Sequence, residues 1–163
     1  MRLSEGVEWG LHCCVLLAPL PDGAGLPAKA LAEFHGVSES YLVKHLKALV
    51  RANVLTSISG PKGGFRLARP ASQITLLDVV QGIEGGQPAF RCTEIRRRGP
   101  AALGPGAYRL PCMITASMLE AERAWAAVLR NKTLAQLVEE LTAKLDPRAI
   151  EKTLAWLPAV VRI

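Results

Sequence analysis

Two cysteines, Cys92 and Cys112, stand with 19 residues between them, and near the start of the chain Glu8 and His12 are four residues apart. Thiolate, imidazole and carboxylate are the side chains that bind transition metals, and thiols also serve redox and nucleophilic chemistry. On a helix, positions i and i+4 lie about 40° apart around the axis, so Glu8 and His12 can address one point. Two cysteines this far apart are a weak metal signal, well below a repeated CxxC pair. Each of the four also has an ordinary reading: a packed or surface histidine at His12, a solvated helix residue at Glu8, a loop thiol at Cys92, and at Cys112 a small side chain that opens a helix. Cys13 and Cys14 read as core filler, and Trp9 as hydrophobic packing.

Composition narrows the classes these residues can serve. Half of the 163 residues are apolar and 21% are charged, which is too hydrophobic for a disordered chain. The longest apolar run, around Leu11 to Leu20, is broken by His12 and Pro19 and falls short of the roughly 20 residues a membrane span needs. With Glu5 and Glu8 where a basic leader belongs, the expected location is cytoplasmic, where four cysteines are not expected to form a disulfide framework. The net charge of +6 suits a polyanionic partner. Basic residues gather in two places, residues 1–70 and the segment with Arg91, Arg96, Arg97, Arg98 and Arg109. An enzyme with a cysteine nucleophile, or a zinc hydrolase, finds little support: there is no phosphate-binding glycine loop on a βα unit, no nucleophile elbow and no HExxH run.

Helical periodicity predicts a first helix over about Ser4 to Leu17, stopped before Pro19, and a second from Pro27 through Phe34, closed by His35-Gly36. A third opens at Ser38 as N-cap and repeats Leu42, Leu46, Leu49 and Val50. Alternation then takes over: Val54 to Ile58, a glycine-rich turn, and Phe65 to Ala68 form a hairpin. After a short helix near Leu76 to Ile83, the stretch to Pro111 is rich in Gly, Pro and Arg, a loop long enough to need a functional reason. A long amphipathic helix from Cys112 to about Leu129 and two further helices, near Leu134 to Leu145 and Pro147 to Leu157, close the chain.

The expected fold is therefore mainly α with a small β-hairpin wing: a winged helix-turn-helix followed by a long dimerisation helix. In that arrangement the third helix enters the DNA major groove and the hairpin tip approaches the backbone. Ser38, Ser40, Tyr41, Lys44 and Lys47 are placed for phosphate or base-edge contact. In the wing, Lys62 supplies a cation, and Gly60, Gly63 and Gly64 permit positive φ and close backbone approach. The alternative for the same elements is a helical hairpin with a solvated basic face, or a winged module that binds protein rather than DNA.

The run Ser38-Glu-Ser-Tyr-Leu-Val-Lys44, then Leu46-Lys-Ala-Leu49, Ala52-Asn-Val-Leu55 and Gly60-Pro-Lys-Gly-Gly-Phe-Arg-Leu-Ala-Arg69, closely resembles the winged-helix iron-sulfur regulator family that includes IscR, NsrR and RsrR. The likeness continues through Ile74-Thr-Leu-Leu-Asp-Val-Val80 and Ile83-Glu84-Gly85 to Cys92, and covers most of residues 1–130. It implies a homodimer on a palindromic or pseudo-palindromic double-stranded operator, with a DNA-binding domain at 1–84, a cluster-binding loop at 85–112, and dimerisation and C-terminal helices at 112–163. The family's loop usually carries three closely spaced cysteines, whereas here there are only Cys92 and Cys112. The resemblance places the remaining ligands on the first helix, in NsrR-like members that of the partner subunit, and Glu8 and His12 match that location. The implied cofactor is a [2Fe-2S] cluster in the RsrR pattern, with two thiolates on one iron and His and Glu on the other by analogy with Rieske ligation. Fewer thiolates lower the negative charge around such a centre and favour one-electron switching; imidazole ligation is also sensitive to protons. Trp9 would then shield or gate it. The rival within the same fold is a thiol-disulfide switch on Cys92 and Cys112, or a repressor without a cluster.

Overall fold

A computed structural model describes residues 3–60 and 63–162. Helix α1, Glu5–Leu17, starts at Ser4 and turns two acidic residues, Glu5 and Glu8, toward its positive end. Its inner face carries Cys13, Cys14, Leu16 and Leu17 into the core. Both cysteines are fully buried, as core filler should be, and burial pushes the Cys13 thiol up to about 12 and that of Cys14 higher still. Burial disfavours the thiolate that nucleophilic attack and metal binding require, so both cysteines serve as packing.

Helix α2, Ala28–His35, ends at Gly36, whose φ of 65° is the left-handed cap that stops a helix without a Cβ penalty. Three residues later α3, Glu39–Arg51, begins after Ser38. Leu42, Leu46 and Leu49 form its fully buried stripe and pack with Leu31 of α2 and Val54 beyond α3. Strands β1, Leu55–Ile58, and β2, Gly64–Leu67, pair antiparallel, with Leu55 opposite Leu67 and Ile58 opposite Gly64. Leu26 bridges Phe65 from the other side, which anchors the wing to the segment before α2.

Helix α4, Leu76–Glu84, opens with a capping box between Thr75 and Asp78, and Asp78 also receives Arg69 at 3.0 Å. Residues 85–112 contain only two single 3-10 turns, Ile95–Arg97 and Pro105–Ala107, so the long loop read from composition is present. Helix α5, Met113–Arg130, packs mainly on α4 and buries none of its own residues. Met113, Ile114, Met118 and Val128 are 73, 65, 44 and 70% exposed. At 100° per residue they share one stripe about 140° wide. Helix α6, Leu134–Lys144, is fixed by buried Leu134 and a second capping box, Thr133 with Gln136. Helix α7, Pro147–Val160, lays Trp156 on Phe34 of α2 at 4.8 Å. No described helix is long and apolar enough to cross a membrane.

Candidate DNA interface and sensor site

On α3 the apolar stripe faces inward and leaves Ser38, Ser40, Tyr41, Lys44 and Lys47 exposed together at one side, with the two serine hydroxyls 3.1 Å apart. This is the surface a recognition helix needs: two cations and three hydroxyls on a rigid rod. The wing follows the expectation less closely in its glycines. Only Gly60 has positive φ, at 103°. Gly63 and Gly64 are required for space instead, since a Cβ on Gly63 would sit 2.1 Å from the carbonyl oxygen of Ile58, and one on Gly64 would meet Leu26 at 2.7 Å. The wing contact expected at Lys62 lies outside the described residues.

Close approach of α1 and α3 connects the first helix to this surface. A Cβ on Gly6 would fall 2.3 Å from the His45 ring, so only glycine lets the two helices come together there. One turn on, Trp9 meets the edge of Tyr41 at 5.4 Å and of His45 at 6.2 Å, while Lys44 lies 5.8 Å above the Tyr41 ring. His45 is buried and its Nε2 has no partner among the described residues. Burial holds its imidazole below the ordinary value; Lys44 pushes the same way and Glu84 opposes it. Tyr41 thus has two faces, one toward solvent and one against Trp9. Trp9 is half-buried and touches α3 directly.

Glu8 and His12 are both exposed on one side of α1, at a shallow cavity of about 580 Å³ shared with Leu11, Val15, Leu137 and Leu141. The His12 ring lies 5.6 Å from that of His35. Cys92 and Cys112 come together elsewhere. Despite the 19 residues between them, the two cysteines lie on neighbouring stems of the loop, because the Arg96 guanidinium bonds both Glu94, two residues after Cys92, and the Leu110 carbonyl, two residues before Cys112. The backbone N–H groups of Thr115 and Ile114, at the start of α5, face the Cys112 sulfur and hold its thiol below the ordinary value, although neither closes a full capping bond. Glu94 donates its N–H to the Cys92 sulfur at 3.4 Å. The single chain therefore brings the four expected ligands together as two pairs, thiol with thiol and carboxylate with imidazole. Among the described residues no group of three or more His, Cys, Asp or Glu converges on one point.

Several residues that shape these sites carry no sequence signal of their own. His45 and His35 read as ordinary helix residues until their burial is seen, and Gly6 until α3 is laid against it. Arg96 is legible in the sequence only as one of the loop's gathered basic residues, and Tyr108 belongs to no pattern there. In fact the Arg96 guanidinium bonds the Leu110 carbonyl at 2.8 Å and Glu94 at 2.7 Å, and the Tyr108 hydroxyl donates to the Arg96 carbonyl at 2.7 Å.

Comparison with known proteins agrees with this arrangement. A chain 31% identical over 96% of this sequence and 95% of its own is YwgB of Bacillus subtilis (strain 168), which carries the name of an HTH-type transcriptional regulator. Among solved structures, CymR (YrzC), the global cysteine regulator of B. subtilis, superposes with a TM-score of 0.66 at 22% identity, over 86% of this chain and 98% of its own. T. potens IscR does so with 0.65 at 20%, over 90% and 93%. At those identities the two structures speak to the fold, a winged helix with appended helices. The family profile described as "Rrf2: Iron-dependent Transcriptional regulator" matches residues 3–140. With helix-turn-helix, wing and loop all inside the matched span, the chain belongs to the Rrf2 family of transcriptional regulators and is not an enzyme.

Proposed function

We propose that the protein is a homodimeric, operator-binding regulator that senses redox state through a [2Fe-2S] cluster held between subunits, by Cys92 and Cys112 of one chain and Glu8 and His12 of the other. The observation that carries this reading is the pairing itself. Two thiols, one exposed and one half-buried, stand on the stems of a loop that Arg96 ties together, and a carboxylate and an imidazole stand exposed on α1, free of ion pairs among the described residues. Two soft donors with two harder ones is a donor set suited to an iron-sulfur centre of Rieske-like asymmetry. The exposed stripe on α5 supplies the reason for two copies, since an apolar face of that length is an interface waiting for its own mirror. When bound, the cluster supplies a one-electron redox couple. The chain's own residues do the rest. Trp9, next to Glu8 on α1, rests against Tyr41 and His45, so a shift of α1 moves the recognition helix, and in a dimer it changes the spacing of two such helices on a palindromic operator.

The test is an anaerobic visible and EPR spectrum with iron and sulfide analysis, on the wild type and on Cys92→Ala, Cys112→Ala, His12→Ala and Glu8→Ala. A [2Fe-2S] signature that is lost in the cysteine variants and altered in the His and Glu variants is the expected result. A colourless, iron-free protein that binds its operator normally would overturn it. That outcome would favour the second reading, a thiol-disulfide switch on the same pair. Two observations support this alternative: Arg96 holds the stems that carry the two thiols side by side, and a similar solved structure, 25% identical with a TM-score of 0.61, is the oxidized form of Staphylococcus aureus CymR.

A further inference from the structure

We propose that Arg96 and Tyr108 are positioning residues that close the loop, so that the Cys92 and Cys112 thiols meet before anything binds them. The inference takes from the proposed function only that these two thiols act as a pair. Bringing together the ends of a loop this long costs conformational entropy that something must offset. Apolar packing does not offset it, because the large aliphatic side chains between the two cysteines, Ile95, Leu103 and Leu110, are 71, 67 and 75% exposed. The polar contacts do. The Arg96 guanidinium reaches both stems: it bonds Glu94, two residues after Cys92, at 2.7 Å, and the carbonyl of Leu110, two residues before Cys112, at 2.8 Å. Tyr108 fixes the arginine in turn. Its hydroxyl donates to the Arg96 carbonyl at 2.7 Å and accepts the Leu103 N–H at 2.8 Å, and its ring lies beneath the guanidinium at 5.3 Å.

The geometry suits arginine and not lysine. A planar fork can hold a carboxylate and a carbonyl at once while stacking on an aromatic ring, and a single ammonium cannot. Glu94 completes the clasp. It sits in the left-handed region at φ 51°, which turns its N–H onto the Cys92 sulfur while its carboxylate faces Arg96.

The test uses full-length, cluster-free, reduced protein titrated anaerobically with phenylarsine oxide, a trivalent arsenical that binds tightly only where two thiols can bridge it. Cys13 and Cys14 are sealed in the core, and Cys92→Ala sets the value for a single surface thiol. Wild type should bind one equivalent. Tyr108→Phe and Arg96→Gln should each weaken binding about tenfold, from the loss of one or two hydrogen bonds, with the thermal midpoint unchanged because the loop lies outside the core. Arg96→Lys should recover little. Variants that bind the arsenical as tightly as wild type would overturn the proposal, as would weakening matched by a lower thermal midpoint. A wild type that binds the arsenical but never assembles a cluster would refute the sensor and leave the clasp standing.

Discussion

His45 sits on α3 with its ring packed under Trp9 and against Gly6, and without a partner for Nε2 among the described residues. Burial lowers its proton affinity in the folded state, whereas unfolding returns it to the ordinary value near 6.5. Below that pH the unfolded chain takes up a proton the folded chain resists, so stability falls as the pH falls. Thermal unfolding between pH 7.5 and 5.5 should show the midpoint dropping, and the drop should shrink in His45→Gln. An equal drop in both proteins would place the titrating group elsewhere. Lys44 and Lys47 lie on the same helix but face solvent. Replacing either with Ala should weaken operator binding across sequences and reduce the salt slope of log K by about one, the mark of a phosphate contact, as read in titrations at several salt concentrations.

At the scale of elements, the contact between α1 and α3 depends on one missing side chain. Gly6→Ala puts a methyl into the His45 ring, and overpacking of this kind costs about 1–3 kcal/mol, which urea unfolding would register. The wing depends on a similar absence. A Cβ at Gly63 collides with backbone oxygens of Ile58 and Gly60, groups that cannot swing away as a flexible side chain does. Gly63→Ala should therefore move the hairpin tip and weaken operator binding while α1 to α4 still fold, seen as reduced affinity with near-unchanged helical circular dichroism. The loop behaves differently from both elements, since hydrogen bonds and not packing set its shape.

For the whole molecule, the question is what covers α5. Its apolar stripe runs most of the helix from Met113 to Val128, and α4 takes only the other side. A charge in the stripe, Ile114→Glu or Val128→Glu, should produce a folded monomer by sedimentation velocity. Its operator affinity should fall because two half-sites are no longer read as one. A dimer that survives both substitutions would place the interface elsewhere. The same substitutions should abolish a shared cluster without touching any of its four ligands.

Local rules were enough for the elements. The 3.6-residue repeat of Leu42, Leu46 and Leu49, the stop at Gly36 and the alternation after Val54 fix helix-turn-helix and hairpin because each is a short-range consequence of side-chain spacing and cap chemistry. The exposed face of α3 follows from the same repeat, so Ser40, Tyr41, Lys44 and Lys47 could be named from the sequence. Cys13 and Cys14 were legible as core for the same reason. Three-dimensional proximity was not legible, because residues distant in the chain meet only after the core has placed their helices. Gly6 beneath His45, Trp9 against Tyr41, and the drawing together of the Cys92 and Cys112 stems by an arginine and a tyrosine between them arise from tertiary packing and from hydrogen bonds that close a loop.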